Sequence, residues 1–198
     1  MGVVKLSTAG ILDYQKYSSF LAGNAAFAPS AYDLLETEIL TGSQASVTFS
    51  SLNSTYGADY QHLQVRMTVR GDTASTSEEE VFMQLNSDTG GNYASHRLRG
   101  SGSTVTSTPY TSQTKLRAAF MPRGNETAGN FGATVIDILD PFETTKNTTI
   151  RLFNGQGSLG VYLFSGVWIN TSALTTILLY PEINNFVAGS RFTLIGLK

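Results

Sequence analysis

Residues 85–100, LNSDTGGNYASHRLRG, gather one of the two histidines of the chain, Asp88, two arginines, Tyr93 and a Gly pair into sixteen positions. A histidine near a carboxylate is the raw material of a metal site or of a general base. Asp88 between Asn86 and Asn92 could offer oxygens to calcium. The series of acidic ligands and the closing Glu of a calcium loop are missing, and one carboxylate makes a poor site. His96 shares a strand face with Ala94 and Leu98, opposite Tyr93, Ser95, Arg97 and Arg99. On an apolar face a histidine is more often a satisfied, partly buried group than a ligand. Ser87–Gly91 is a polar stretch with two glycines between two alternating segments, which is what a β-hairpin needs if Gly supplies positive φ. A metal-free hairpin turn over 86–92 is expected.

The other clusters point the same way. Glu78, Glu79 and Glu80 could pair as the two carboxylates of glycoside cleavage. Consecutive strand residues face opposite sides, however, so the run is expected to be the solvated start of a strand. Asp137 and Asp140 flank Ile138 and Leu139 ahead of Pro141, which suits a turn. The sequence has no Gly-x-Ser-x-Gly elbow, no His-Glu-x-x-His and no Gly-rich phosphate loop. No catalytic residue, cofactor or metal ligand is expected.

These side chains must be positioned by strands. In QHLQVRMTVR, Leu63, Val65, Met67 and Val69 alternate with His62, Gln64, Arg66, Thr68 and Arg70, the period of a half-buried strand. Comparable segments occur at 45–52, 80–86, 92–99, 114–120, 131–139, 148–154, 160–169, 174–180 and 191–197, with a weaker one at 34–40. Turn residues separate them: Asp72-Thr73, Pro122 to Asn125, Asp140-Pro141, Asn154-Gly155 and Pro181. About ten short strands with no long amphipathic helix between them predict an all-β fold, an antiparallel β-sandwich of jelly-roll type over residues 34–198.

Composition agrees. Charged residues make up 14% of the 198, against roughly 25% in ordinary soluble domains, and Thr, Ser, Tyr and Phe suit sheet better than helix. A net charge of −2 gives no electrostatic footprint for nucleic acid. Without cysteine, disulfides and thiolate metal sites are excluded. No segment is apolar enough for a membrane span, and MGVVKLSTAG has no run suited to a secretion signal, so synthesis in a reducing cytosol is expected.

Residues 1–33 differ. A short helix is expected between Ser7 and Leu21, followed by an extended connector. Ile11, Tyr14, Tyr17, Phe20, Leu21 and Phe27 lie in a segment too short to bury them alone, so this arm is expected to be an anchor whose apolar side chains make assembly contacts.

With the segments in order, residues 45–198 resemble small virion structural proteins of tailed bacteriophages, including those of marine and freshwater hosts. The phrases that carry the resemblance are Thr48-Phe49-Ser50-Ser51, the strand from Tyr60 to Arg66 and the stretch from Asn86 to His96. Val135 to Asp140, Gly166 to Thr171 and Gly189 to Lys198 complete it. The resemblance implies a structural particle component, either capsid decoration (cement) or a tail or fibre part, located in the virion. Its partners would be other virion proteins and further copies of itself, in a homo-oligomer such as a trimer. No catalytic residues carry over. The rival reading is a carbohydrate-binding module for host recognition, with Tyr110, Tyr162 or Trp168 stacking on a host glycan, although Trp168 is expected in the core. A glycan hydrolase would need a facing carboxylate pair that the sequence does not offer.

Overall fold

The alternation of His62–Val69 becomes strand β3, with Leu63, Val65, Met67 and Val69 buried and Arg66 exposed. The same logic produces the other strands in the computed structural model, which describes residues 31–198 except Thr76 and Ser158. The expected helix of the arm, and with it Ile11, Tyr14, Tyr17, Phe20, Leu21 and Phe27, lies outside the described residues.

Twelve strands and one helical turn follow in order among the described residues. They are β1 (Tyr32–Ile39), β2 (Val47–Phe49), α1 (Leu52–Tyr56), β3 (His62–Val69), β4 (Glu78–Leu85), β5 (Tyr93–Ser101) and β6 (Thr104–Gln113). Then come β7 (Leu116–Pro122), β8 (Gly132–Leu139), β9 (Thr148–Gln156), β10 (Gly160–Trp168), β11 (Ile177–Pro181) and β12 (Arg191–Leu197). One sheet has eight strands, ordered β1-β12-β3-β8-β9-β10-β5-β6, and the other has four, ordered β2-β11-β4-β7. Every pairing is antiparallel.

Without β5, β6, β9 and β10, the remaining strands pair first with last (β1 with β12), then β2 with β11, β3 with β8 and β4 with β7. That is one long antiparallel ribbon rolled into two sheets, the jelly-roll topology. The sandwich expected from sequence is the fold found. Hairpins β5–β6 and β9–β10 are insertions that widen the larger sheet beyond β8.

The core lies between the sheets. It holds Leu63, Val65, Ile136, Ile138, Val81, Met83, Leu85, Ile177 and Leu179, all inaccessible to solvent. Trp168 is fully buried, as expected.

Three local expectations fail. Strand β6 was not visible, because most of its side chains are exposed, with Thr and Ser predominating, and it contains Pro109, tolerable only at a sheet edge. Strand β1 starts at Tyr32, so Tyr32 and Asp33 belong to the sheet rather than to the arm. Most consequentially, β4 and β5 are not a hairpin: β4 pairs with β11 and β7, and β5 with β10 and β6, so the segment between them crosses from one sheet to the other.

Candidate functional site

The crossover at 86–92 is a turn built from side chains. Asn86 and Ser87 both have positive φ, and the Asp88 N–H closes the turn onto the Leu85 carbonyl at 2.9 Å. Gly90 is needed for space rather than for φ, since a Cβ there would sit 2.8 Å from Asn92 Nδ2. The Asp88 carboxylate accepts from Trp168 Nε1 at 2.8 Å, Asn92 Nδ2 at 3.0 Å and the Gly90 N–H at 2.8 Å. The Trp168 and Asn92 bonds hold its pKa below the ordinary carboxylate value against the opposing effect of burial. Asn86 grips the far side: its carbonyl oxygen accepts from Thr175 and Thr176, and its amide donates to the Ala173 carbonyl. Tyr93 seals the crossover from within. Its hydroxyl accepts the Leu85 N–H at 3.0 Å and shares its one proton between the Leu85 and Asp88 carbonyls, and burial pushes its pKa up to about 12. Asn86, Asp88, Asn92 and Tyr93 thus each have structural partners in the fold and bind one loop to another.

His96 lies on the face shared with Ala94 and Leu98, but that face is turned to solvent. Its Nε2 is 2.6 Å from Ser107 Oγ on β6. The expectation of a partly buried histidine on an inward face is corrected. On β5 the polar face points in, because Arg97 and Arg99 meet carboxylate and aromatic groups there, and the apolar face points out.

The glutamate run is also corrected. Glu79 is buried, accepting from Thr73 Oγ1 at 2.7 Å and from the Ile183 N–H at 2.8 Å, and desolvation raises its pKa. Glu78 pairs with Arg99 at 2.7 Å and also accepts from Gln156 and the Tyr162 hydroxyl. Glu80 pairs with Arg117 at 2.9 Å. The run is not a solvated strand start: Glu78 ties the inserted hairpins to the seam where they fold over the outside of the small sheet, while Glu79 and Glu80 hold neighbouring loops and β7. Asn154 on β9 anchors that seam. Its Oδ1 accepts the Phe120 N–H and its Nδ2 donates to the Phe120 carbonyl, both at 3.0 Å, so an amide side chain stands in for a missing strand beside β7. The Phe120 ring stacks on Tyr162 with centroids 4.2 Å apart.

Of the three aromatic residues that could stack on a sugar, Tyr162 and Trp168 are fully buried and only Tyr110 is partly accessible. Arg117 lies 3.8 Å over the Tyr110 ring, with Arg97 at 5.6 Å, and nearby Lys115 sits 3.7 Å over Phe82. These cation–aromatic contacts lie on the fold-over seam, where Arg117 is also paired with Glu80 at 2.9 Å.

Arg70 has a role the sequence did not signal. Buried at the end of β3, it donates four hydrogen bonds to the carbonyls of Gly124, Glu126, Thr127 and Asn130 and so moulds the loop after β7. Asp140, with positive φ, ends β8 as a turn residue, as expected. It lines a cavity of about 500 Å³ with Tyr60, Gln61, Phe142 and Lys146, and its pKa is lowered chiefly by the bond from Lys146. His62 Nδ1 accepts the Asp140 N–H at 3.0 Å and lies 3.2 Å from the Asp140 carboxylate. Among the described residues no group of three or more His, Asp or Glu is placed to hold a metal ion.

No family model matches the chain, and no curated protein does. Among solved structures the chain is similar to an alginate lyase, "Structure of alginate lyase Aly36B". The identity is 12%, the match covers 89% of this chain and 90% of that one, and the TM-score is 0.25, a superposition too loose to carry activity across.

Proposed function

We propose that the protein is a structural component of a tailed-phage particle, a jelly-roll body displayed as capsid decoration or as a tail or fibre part. One observation carries this reading: the residues that could do chemistry are consumed in holding the fold. Asp88, Glu78, Glu79 and Glu80 each have partners that tie strand to strand or loop to loop. The likeness of residues 45–198 to small phage virion proteins, phrase by phrase and in order, supports the same reading. The test is antibody–gold labelling of purified particles viewed by electron microscopy. Regular label on heads or tails is the expected result. Particles without label, from cells that make the protein, would overturn it.

A second reading, glycan binding during host recognition, is favoured by the cation–aromatic contacts of Tyr110, Arg97, Arg117 and Lys115. It predicts retention of acidic glycans on an array, lost in Tyr110→Ala. Both readings can hold for one particle protein.

A further inference from the structure

The outer face of the larger sheet, where the inserted hairpins lie, is patterned inside out. Val135, Phe153, Leu163 and Leu98 stand side by side on β8, β9, β10 and β5, each directly opposite the next. Beside this ridge runs a second row: Gly155, Val161, Gly100 and Val105 on β9, β10, β5 and β6. The large side chains of the two rows are between 36% and 72% exposed. A Cβ added at Gly100 or Gly155 would meet nothing within 4 Å, so Val161 stands between two open pits. The face is thus a ridge beside a glycine-floored groove.

We infer that this face binds a second copy of the chain across a two-fold axis. With the axis lying between the copies, parallel to the rows and midway between them, the ridge of each copy falls into the groove of the other. A flat, self-complementary patch makes an isologous contact of this kind, whereas a three-fold ring needs two different patches. Charge favours a weakly charged occupant such as a copy of itself: from β8 to β6 neither row holds a charged residue, and the charges that border them are Arg66, opposite Val135 on β3, and the Asp137–Arg151 pair, joined at 2.8 Å. A highly charged partner would leave its ions facing apolar surface. Five strands about 4.8 Å apart, and about 20 Å along each, give near 500 Å² per copy. The pair therefore reaches the roughly 1,000 Å² that a specific association needs. Exposed apolar patches of this size usually mark such a surface. The inference stands independently of the particle reading.

Sedimentation velocity on the full chain tests it. At about 100 µM, where an interface of this modest size is populated, the wild type should sediment as a dimer. Leu163→Lys should weaken association at least tenfold by placing a charge on the ridge. Gly100→Val should do the same by filling a pit, and its backbone takes the side chain without strain. Both variants should keep the wild-type circular dichroism and melting temperature, since both sites are on the surface. A monomeric wild type, or a variant that dimerises as tightly as the wild type, would overturn the inference.

Discussion

At the residue scale the protein spends its ionisable groups on tethering. Asp88 is the clearest case, because one half-buried carboxylate satisfies Trp168, Asn92 and the Gly90 N–H at once. Asp88→Ala leaves three donors without that acceptor, and hydrogen bonds to a charged group contribute about 1.5–3 kcal/mol each before water replaces part of the loss. A net destabilisation of about 1–3 kcal/mol is expected in urea unfolding at pH 7. Its pH dependence has a definite sign. The folded pKa lies below the unfolded one, near 3.9, so the contribution is complete above about pH 5 and fades as pH falls through the folded value. The stability gap between wild type and Asp88→Ala should therefore narrow below about pH 4. A gap that stays constant to pH 2.5 would mean that the carboxylate's charge is not what holds the loop.

At the scale of elements, β7 shows how the sandwich closes. An edge strand exposes unpaired N–H and C=O groups, and here the Asn154 amide covers both those of Phe120. Asn154→Leu keeps a branched side chain of four heavy atoms but removes both bonds, with those to the Ala133 carbonyl and Thr134 Oγ1, leaving a buried donor and acceptor of Phe120 unsatisfied. The expected cost is about 2–4 kcal/mol. Hydrogen exchange should show the Phe120 amide losing protection while the β3 amides keep theirs; unchanged protection at Phe120 would refute the edge-capping role. What the sequence made legible follows from the same physics. Strand β3 could be read because one face is uniformly apolar and buried, and the jelly-roll class followed from many such strands. The alternation of β5 was equally visible, but not its sense: Arg97 and Arg99 point inward only because Glu78 and Phe120 come from strands distant in the chain. Strand β6 carries almost no apolar signal at all. In the loop at 86–92 the turn composition was correctly read and its partner strands were not, since nothing local says that a turn crosses between sheets. Arg70 gave no warning, because its four acceptors are backbone carbonyls more than fifty residues away.

At the scale of the whole molecule, closure is achieved within residues 32–197. Strand β1 pairs with β12 along its length, from Tyr32 opposite Leu197 to Ile39 opposite Arg191, with one bulge near Leu35. Among the described residues the buried core runs from Leu40 to Ile195, and the strands from β1 to β12 close the rolled ribbon. Removing residues 1–30 should therefore leave a folded body. Its melting temperature should stay within about 4 °C of the full chain, the shift that ~1 kcal/mol produces in a chain of this size. The six apolar side chains Ile11, Tyr14, Tyr17, Phe20, Leu21 and Phe27 then become testable as anchors by subtraction. If burying them in a neighbouring particle protein supplies roughly 1.5–3 kcal/mol each before ordering costs, the truncated protein should fail to join particles while remaining folded and dimeric. Dimerisation should survive because the ridge and groove of the outer face lie wholly within the retained residues. Truncated protein found on particles at wild-type occupancy would move the attachment surface onto the jelly-roll body. A truncated protein that unfolds would instead show that the arm belongs to the fold.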